Sequence, residues 1–494
     1  MPSPINTPPI YQNPFMAPNG FSGIHLNSYM TDTGAVKGPA STPKPSVQQK
    51  FITPPGIAAT IAFNAKGQVV TIHIGSSDPD TPDGAPTIML IDPTTLNTLF
   101  KVVLPPRPPK KKGSKISFAG GYFYLDQKFQ VVCVVTSQNP TVQQIQTYST
   151  SDNQLRLIPN QTYNLLNTIN DASDVLNSVL PDSYGNIWYI TQKGRVGYVD
   201  TQGVLSRVVT LNSPISKSFA SDGEGNVYVV TDSPTPPFTP TTPPTPPPPA
   251  APGALYCLRA QLKYDQAQVV WRAGYDSGSS EIKPGQNQVG CGTTPTCFND
   301  FQGKRFVAIT DNAPNMSVNV YLRDSGKLVA KQPVFTAQGA SNACENSLIA
   351  VNRSIIVENN YDNSEIESTD GPKTTTPGIN RVDFNPDTET SSVVWANNSI
   401  AVPSVVSQLS TGDGMLYTYA KAPPIPTQND PGGWHWAALD FADGKLVKKS
   451  PYINFTNPAV AEASNNWYAG LTIGPNGAAY LSVFGGLTVW RPGS

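Results

Sequence analysis

The turn Asp-x-x-Gly-Asn occurs twice, forty residues apart, and each copy runs straight into a short apolar stretch. The first is Asp182-Ser183-Tyr184-Gly185-Asn186, followed by Ile187-Trp188-Tyr189-Ile190-Thr191. The second is Asp222-Gly223-Glu224-Gly225-Asn226, followed by Val227-Tyr228-Val229-Val230-Thr231. A repeat of this length marks one supersecondary unit copied around an axis or along a line. In a chain of 494 residues that favours one large repeat array over two or three unrelated domains. Composition agrees. Only 14% of residues are charged, and the 50 prolines and 39 glycines punctuate apolar runs with turns. No long stretch pairs helical spacing with good helix formers; residues 161–180 come nearest, as one short helix or an irregular loop.

A second pattern completes the unit. An apolar pair reaches an Asp, a turn follows, and a new strand begins. Ala438-Leu439-Asp440-Phe441-Ala442-Asp443-Gly444-Lys445-Leu446-Val447 is the best copy, with weaker ones at Leu90-Ile91-Asp92, Tyr198-Val199-Asp200, Tyr321-Leu322-Arg323-Asp324 and Arg381-Val382-Asp383. Two copies run on to Val269-Val270-Trp271 and Val393-Val394-Trp395. Asp accepts backbone N–H bonds at the turn start, and Gly supplies the positive φ of a tight hairpin. Two such hairpins make four antiparallel strands, the blade of a propeller.

These patterns resemble the quinoprotein-like β-propeller repeat, whose mark is a strand ending in Ala-Leu-Asp, a turn with Gly-Lys, then Leu-Val and a Trp. The resemblance runs at repeat level over most of residues 55–491. The family holds pyrroloquinoline-quinone dehydrogenases and a scaffold of outer-membrane protein assembly. The stretches Asn13–Gly20, Thr310-Asp311-Asn312 and Val357–Tyr361 are similar to a group of uncharacterised bacterial propeller proteins, a likeness that implies no activity. The expected fold is therefore an all-β propeller of four-stranded antiparallel blades, eight by count, with seven as the alternative. The units fall near 57–104, 117–160, 173–211, 217–272, 293–335, 344–397, 404–450 and 466–491. A ring needs its last sheet edge closed, so the amino-terminal segment 1–56 is expected to supply a strand or to cross one face. The proline-rich stretch 233–253 cannot join a ladder and is read as an extended insertion within one blade of the 57–494 propeller, or as a ligand for a proline-reading domain.

Several functions are disfavoured. A net charge of −1 creates no field for nucleic acid or an anionic membrane. The basic group Arg107, Lys110, Lys111, Lys112 and Lys115 reads as a solvated loop, with a polyanion contact as the sharper option. No run of 18 apolar residues occurs, so no membrane span is expected. The amino terminus has no basic and apolar leader pattern, so the protein stays in the cytoplasm or has lost a signal. Five cysteines are too few for a disulfide framework, although Cys291 and Cys297 bracket a loop they could close. There is no Cys-Cys pair of the kind the quinoprotein dehydrogenases use, no dinucleotide glycine motif and no phosphate loop, so neither quinone nor nucleotide is expected.

Chemistry is sought in three acid–amide runs beside apolar strands: Asp311-Asn312, Cys344-Glu345-Asn346-Ser347 and Glu358-Asn359-Asn360-Tyr361. If they line the central channel, Asp311, Glu345 and Glu358 are candidate acid–base groups or ligands of Ca²⁺, which takes hard oxygen donors. Asn312, Asn346, Asn359, Asn360, Tyr361 and Trp434 are the candidate substrate contacts. The same residue types also cap strand ends for structural reasons alone. Only three histidines occur, His25, His73 and His435. That rules out a four-histidine iron site and leaves any Ser-His-Asp triad to one of the three. His435, between Trp434 and Trp436, is the candidate base; His25 lies in the segment that crosses a face, and His73 in an alternating strand. Lys283, Gln286 and Asn287 in the long polar loop 275–295 are further ligand candidates. The reading is a hydrolase or lyase acting on a small organic substrate at the channel, with calcium as the candidate ion. The alternative is a non-catalytic propeller that binds a protein partner through its loops.

Overall fold

The computed structural model describes residues 2–493, apart from 53–54, 76–84, 109–118, 139, 212, 234–252, 262, 264, 370–371, 426–431 and 454–462. It forms eight antiparallel sheets in a ring, an eight-bladed β-propeller. Blades 1 to 8 span 56–103, 124–164, 176–210, 220–274, 296–333, 349–397, 408–449 and 472–491 in chain order. The helix expected within 161–180 is the single turn Leu166–Ile169. The basic group at 110–115 and the proline run 234–252 lie outside the described residues. The strands flanking that run, Asn226–Val230 and Ala254–Gln261, pair with each other, so both belong to blade 4.

In five blades an Asx turn joins the first strand to the second. Asp182 accepts the backbone N–H of Tyr184 and of Asn186, and its other oxygen takes Asn186 Nδ2 and Trp188 Nε1. Asp222 repeats this with Glu224, Asn226 and the Tyr228 hydroxyl. Asn64, Asp126 and Asp300 hold the same turn in blades 1, 2 and 5. One side chain thus fixes the hairpin and reaches the core behind it, which is why the motif recurs. Both faces of the inner strands pack on neighbouring blades, so Val131–Val135 and Val227–Val230 are buried without alternation. The outermost strands, such as Thr98–Val103, face solvent.

The Val-Val-Trp endings join one blade to the next. Trp271 in blade 4 donates from Nε1 to Arg323 O in blade 5 at 2.7 Å, and Trp395 in blade 6 donates to Phe441 O in blade 7 at 2.9 Å. Each indole lies on the glycine of the next blade's turn. A Cβ at Gly326 would stand 2.6 Å from Trp271, and one at Gly444 would stand 2.5 Å from Trp395. The family-like pairing of Gly-Lys and Trp is therefore a contact between consecutive blades.

Blade 8 closes the ring. Its outer strand is the amino-terminal Ser46–Phe51, antiparallel to Gly486–Arg491. Tyr480 of blade 8 meets Phe63 of blade 1 with ring centroids 5.2 Å apart. The amino-terminal segment also does what was posed as the alternative and crosses the channel. Its carbonyls take backbone N–H groups from the innermost strands of six blades: Phe21 O from Phe63, Ser22 O from Leu125, Ser28 O from Ser221, Tyr29 O from Cys297, Thr31 O from Ala350 and Asp32 O from Leu409. The disulfide posed for Cys291 and Cys297 does not form; all five cysteines are free and buried. Cys297 is held in the innermost strand of blade 5, whereas Cys291 Sγ lies 3.1 Å from Thr293 Oγ1 in the preceding loop.

The indole–glycine contact is testable. Gly326 has φ +67° under Trp271, and Gly303 has φ +78° with open space where a Cβ would go. Gly303→Ala is expected to cost only the backbone term, about 1 kcal/mol. Gly326→Ala is expected to cost roughly 2–4 kcal/mol, because the indole must also move. The urea midpoints of the two variants measure the difference; equal midpoints would show that the contact is not tight.

Candidate functional site

Where the innermost strands begin, the ring opens into a cavity of about 640 Å³. Residues at or just before those strands form its wall: Tyr122, Leu176, Lys217, Thr294, Glu345, Ser347, Val406 and Tyr468. The amino-terminal segment closes it on the channel side with Ile24 and His25. The loop 275–294 covers another side. Gly285 O accepts from Tyr468 Oη of blade 8 at 2.8 Å, and Gln286 Nε2 donates to Cys344 O of blade 6 at 3.2 Å, so this loop reaches from blade 4 over blade 6.

Three polar side chains connect in line at the floor. Ser347 Oγ lies 2.9 Å from His25 Nε2, and His25 Nδ1 lies 2.9 Å from Asp32 Oδ2 and 3.1 Å from Oδ1. All three are buried, while His25 and Ser347 open on the cavity. A carboxylate on Nδ1 calls for a proton there, which leaves Nε2 as the acceptor for the serine hydroxyl. Burial pushes the Asp32 carboxyl up from its ordinary value, and His25 pulls it back. The backbone that carries the pair is strained: His25, Leu26, Met30 and Asp32 have φ of 55°, 72°, 59° and 49°. Non-glycine residues in this region cost of order 1 kcal/mol or more each, and such strain clusters at functional sites.

The acid–amide runs of blade 6 support this serine. Asn346 Nδ2 donates to Glu358 Oε2 at 2.9 Å and to Val405 O at 2.6 Å, and Ser407 donates to Glu358 Oε1. Asn360 Oδ1 accepts the Glu345 N–H, and Asn359 Oδ1 accepts those of Ala343 and Tyr361. Glu358, Asn359 and Asn360 thereby fix the loop that carries Ser347 into the first strand of blade 6, and they do not line the cavity. Burial raises Glu358 to about 7, with nearby Asp32 adding to the rise. Glu345 does line the cavity and forms a buried ion pair with Lys217. Burial pulls the Lys217 ammonium down, but Glu345 and Asp232 pull it up by more.

The other expected residues sit elsewhere. Asp311 takes the Ser317 N–H and pairs with Lys331 at 3.0 Å, and Asn312 donates to Ser277 O. His435 lies in the third strand of blade 7, its Nδ1 2.9 Å from Gly433 O and its ring against Tyr452. Trp434 stacks on Tyr419 in the core. None of these four lines the cavity. Among the described residues no three of His, Cys, Asp or Glu gather as a metal-binding group, so Asp311, Glu345 and Glu358 do not share one ion site. Of the loop candidates, Asn287 reaches the cavity, while Lys283 donates to Ala313 O and Gln286 is tied down beneath the loop. Sequence reading missed Asp32, Lys217 and Asp232, and it named Ser347 only as the end of an acid–amide run, with no role of its own.

No known family profile matches the chain. An uncharacterised protein of Archaeoglobus fulgidus is 22% identical over 98% of this chain and 91% of that protein. The quinohemoprotein alcohol dehydrogenase of Comamonas testosteroni is similar with a TM-score of 0.53 at 10% identity, over 98% of this chain and 82% of that one. Sqt1 of Chaetomium thermophilum is similar with a TM-score of 0.52 at 10% identity, over 89% and 95%. At such identities the likeness is one of fold, and propellers host many unrelated functions. Among the described residues no helix is long and apolar enough to cross a membrane.

The Glu358 carboxyl gives a pH test of this region. The folded protein holds its proton up to about 7, against an ordinary 4.5. Between these values the unfolded chain releases a proton that the folded chain keeps, so stability falls as pH rises through the window. The effect is on the order of 3 kcal/mol. In Glu358→Gln the drop in melting temperature from about pH 5 to about pH 8 is expected to shrink. An unchanged drop would mean that Glu358 ionises normally.

Proposed function

We propose that the protein is a hydrolase of small acyl compounds, with Ser347 as nucleophile, His25 as base and Asp32 as the group that orients and supports His25. The observation that carries this reading is the linear pair of hydrogen bonds through His25, 2.9 Å on each side, opening on a cavity. Triads are recognised by such geometry on unrelated folds, whatever the chain order. Ser347 Oγ attacks the carbonyl carbon of an ester as its proton passes to His25 Nε2. Collapse of the tetrahedral adduct breaks the bond to the alcohol, which takes that proton from His25. Water then attacks the acyl-serine, giving one proton to His25, and the acid departs as the proton returns to Ser347.

Calcium is not required in this reading. The three carboxylates considered for it each have protein partners: Lys331 for Asp311, Lys217 for Glu345, and Ser407 with Asn346 for Glu358.

A fluorophosphonate probe, which loses fluoride to an activated serine, tests the nucleophile without knowledge of the substrate. Wild type is expected to be labelled at Ser347, and labelling is expected to fall by roughly three orders of magnitude in Ser347→Ala and in His25→Ala. Hydrolysis of short p-nitrophenyl esters should fall in step. A propeller that only binds a partner would show the same background labelling in wild type and Ser347→Ala, and that result would discard the proposal.

A further inference from the structure

The cavity that holds Ser347 and His25 contains a second polar group that the acyl-transfer chemistry does not use. Asp232 follows the strand Asn226–Val230 of blade 4 and is 2% exposed, yet it lines the cavity. Its Oδ1 accepts from Ser216 Oγ at 3.0 Å. Its Oδ2 is buried and has no hydrogen-bond partner among the described residues. The Oδ1 of Asn287, on the covering loop and also in the cavity lining, is another buried acceptor without a partner among them. Burial pushes Asp232 up to about 7, and Lys217 pulls it back. Lys217 is already engaged in its ion pair with Glu345. A buried carboxylate oxygen left without a donor costs free energy that a ligand can recover. Of the two cations in the lining, Lys217 is paired with Glu345 and Arg107 donates to Ala119 O, so around Asp232 the wall offers acceptors and the missing element is a donor, ideally a charged one.

We infer that Asp232 is the anchor of a substrate ammonium group, so that the acyl compounds this cavity takes carry a primary amine. The inference deepens the hydrolase reading by naming the substrate class, but the recognition step stands on Asp232 and not on the serine. An alkylammonium donates to Oδ2, with Asn287 Oδ1 as a second acceptor, while its alkyl part meets the apolar wall of Ile24, Leu176 and Val406. The acyl carbon of the same molecule then faces Ser347 across one cavity.

The test separates binding from catalysis. Ser347→Ala protein is titrated with n-butylammonium, n-butanol and butyrate, and the rise in melting temperature is read. Butylammonium is expected to stabilise it more than butanol does, and butyrate not at all. Adding Asp232→Asn is expected to weaken butylammonium binding by about tenfold or more while leaving butanol unchanged. Where Asp232→Asn does not fold, Asp232→Ser gives the same comparison. In the catalytic arm, wild type is expected to prefer the p-nitrophenyl ester of 4-aminobutyrate over that of pentanoate through KM, and to lose that preference in Asp232→Asn. If butylammonium discriminates but no ester is cleaved, the anchor stands and the hydrolase reading falls. Equal binding of butylammonium with and without the Asp232 carboxylate, or preference for butyrate, would overturn the inference.

Discussion

An innermost propeller strand has one neighbour and one bare edge, and eight such edges face a common axis. Backbone N–H groups turned to a narrow channel must find an acceptor. In this chain the acceptors for six blades are carbonyls of residues 21–32. Each bond contributes about 1 kcal/mol net, whereas each left unmade in a dry channel would cost more. The segment's path is therefore dictated by the ring. It must turn continuously to meet one blade after another, and left-handed residues at His25, Leu26, Met30 and Asp32 provide that turning. The strain at the floor and the satisfaction of the inner edges are one structural fact.

That arrangement explains why the His25–Asp32 pair is held so firmly. Both side chains project from a continuously turning segment whose carbonyls, on either side, are bound to different blades. Ser347 comes from blade 6, 322 residues further along the chain. Its own position is fixed through Asn346, Glu358 and Ser407. A nucleophile and its base thus come from two elements, and the ring sets the distance between them. Preorganisation of this kind is what acyl transfer needs, since the imidazole must meet the hydroxyl without reorganising.

Much of the architecture was legible in the sequence because its causes are local. Asp182 and Asp222 bind N–H groups two and four residues away, so turn, hairpin and blade can be read in a window of ten residues. Eight blades followed, with bounds within a few residues for most. The site was legible only in part. Glu345, Asn346 and Ser347 stood out as a polar run at a strand start, and they do reach the channel region. His435 drew attention through its tryptophans, yet those rings pack the core of blade 7 and leave the histidine at the strand's end. His25 and Asp32 have no local signature, for their meaning comes from a strand more than 300 residues away. Lys217, Asp232 and Glu345 converge from blades 4 and 6 in the same manner.

The charge arrangement in the cavity bears on what can enter it. Lys217 is the internal counter-ion of Glu345 and also lies close enough to Asp232 for each to shift the other's proton. One ammonium facing two carboxylates leaves the set one positive charge short. A buried set in that condition has two remedies: it takes up a proton, which Asp232 does near neutral pH, or it takes up a cation. Water reaching the cavity serves the unbound protein with the first remedy. A ligand ammonium supplies the second and displaces that proton, so the same burial that raises the carboxyl's proton affinity, with Glu345 adding to it, also favours a charged guest over a neutral one of equal size. The acceptor oxygens on the wall and the reactive hydroxyl on the floor then address opposite ends of one molecule.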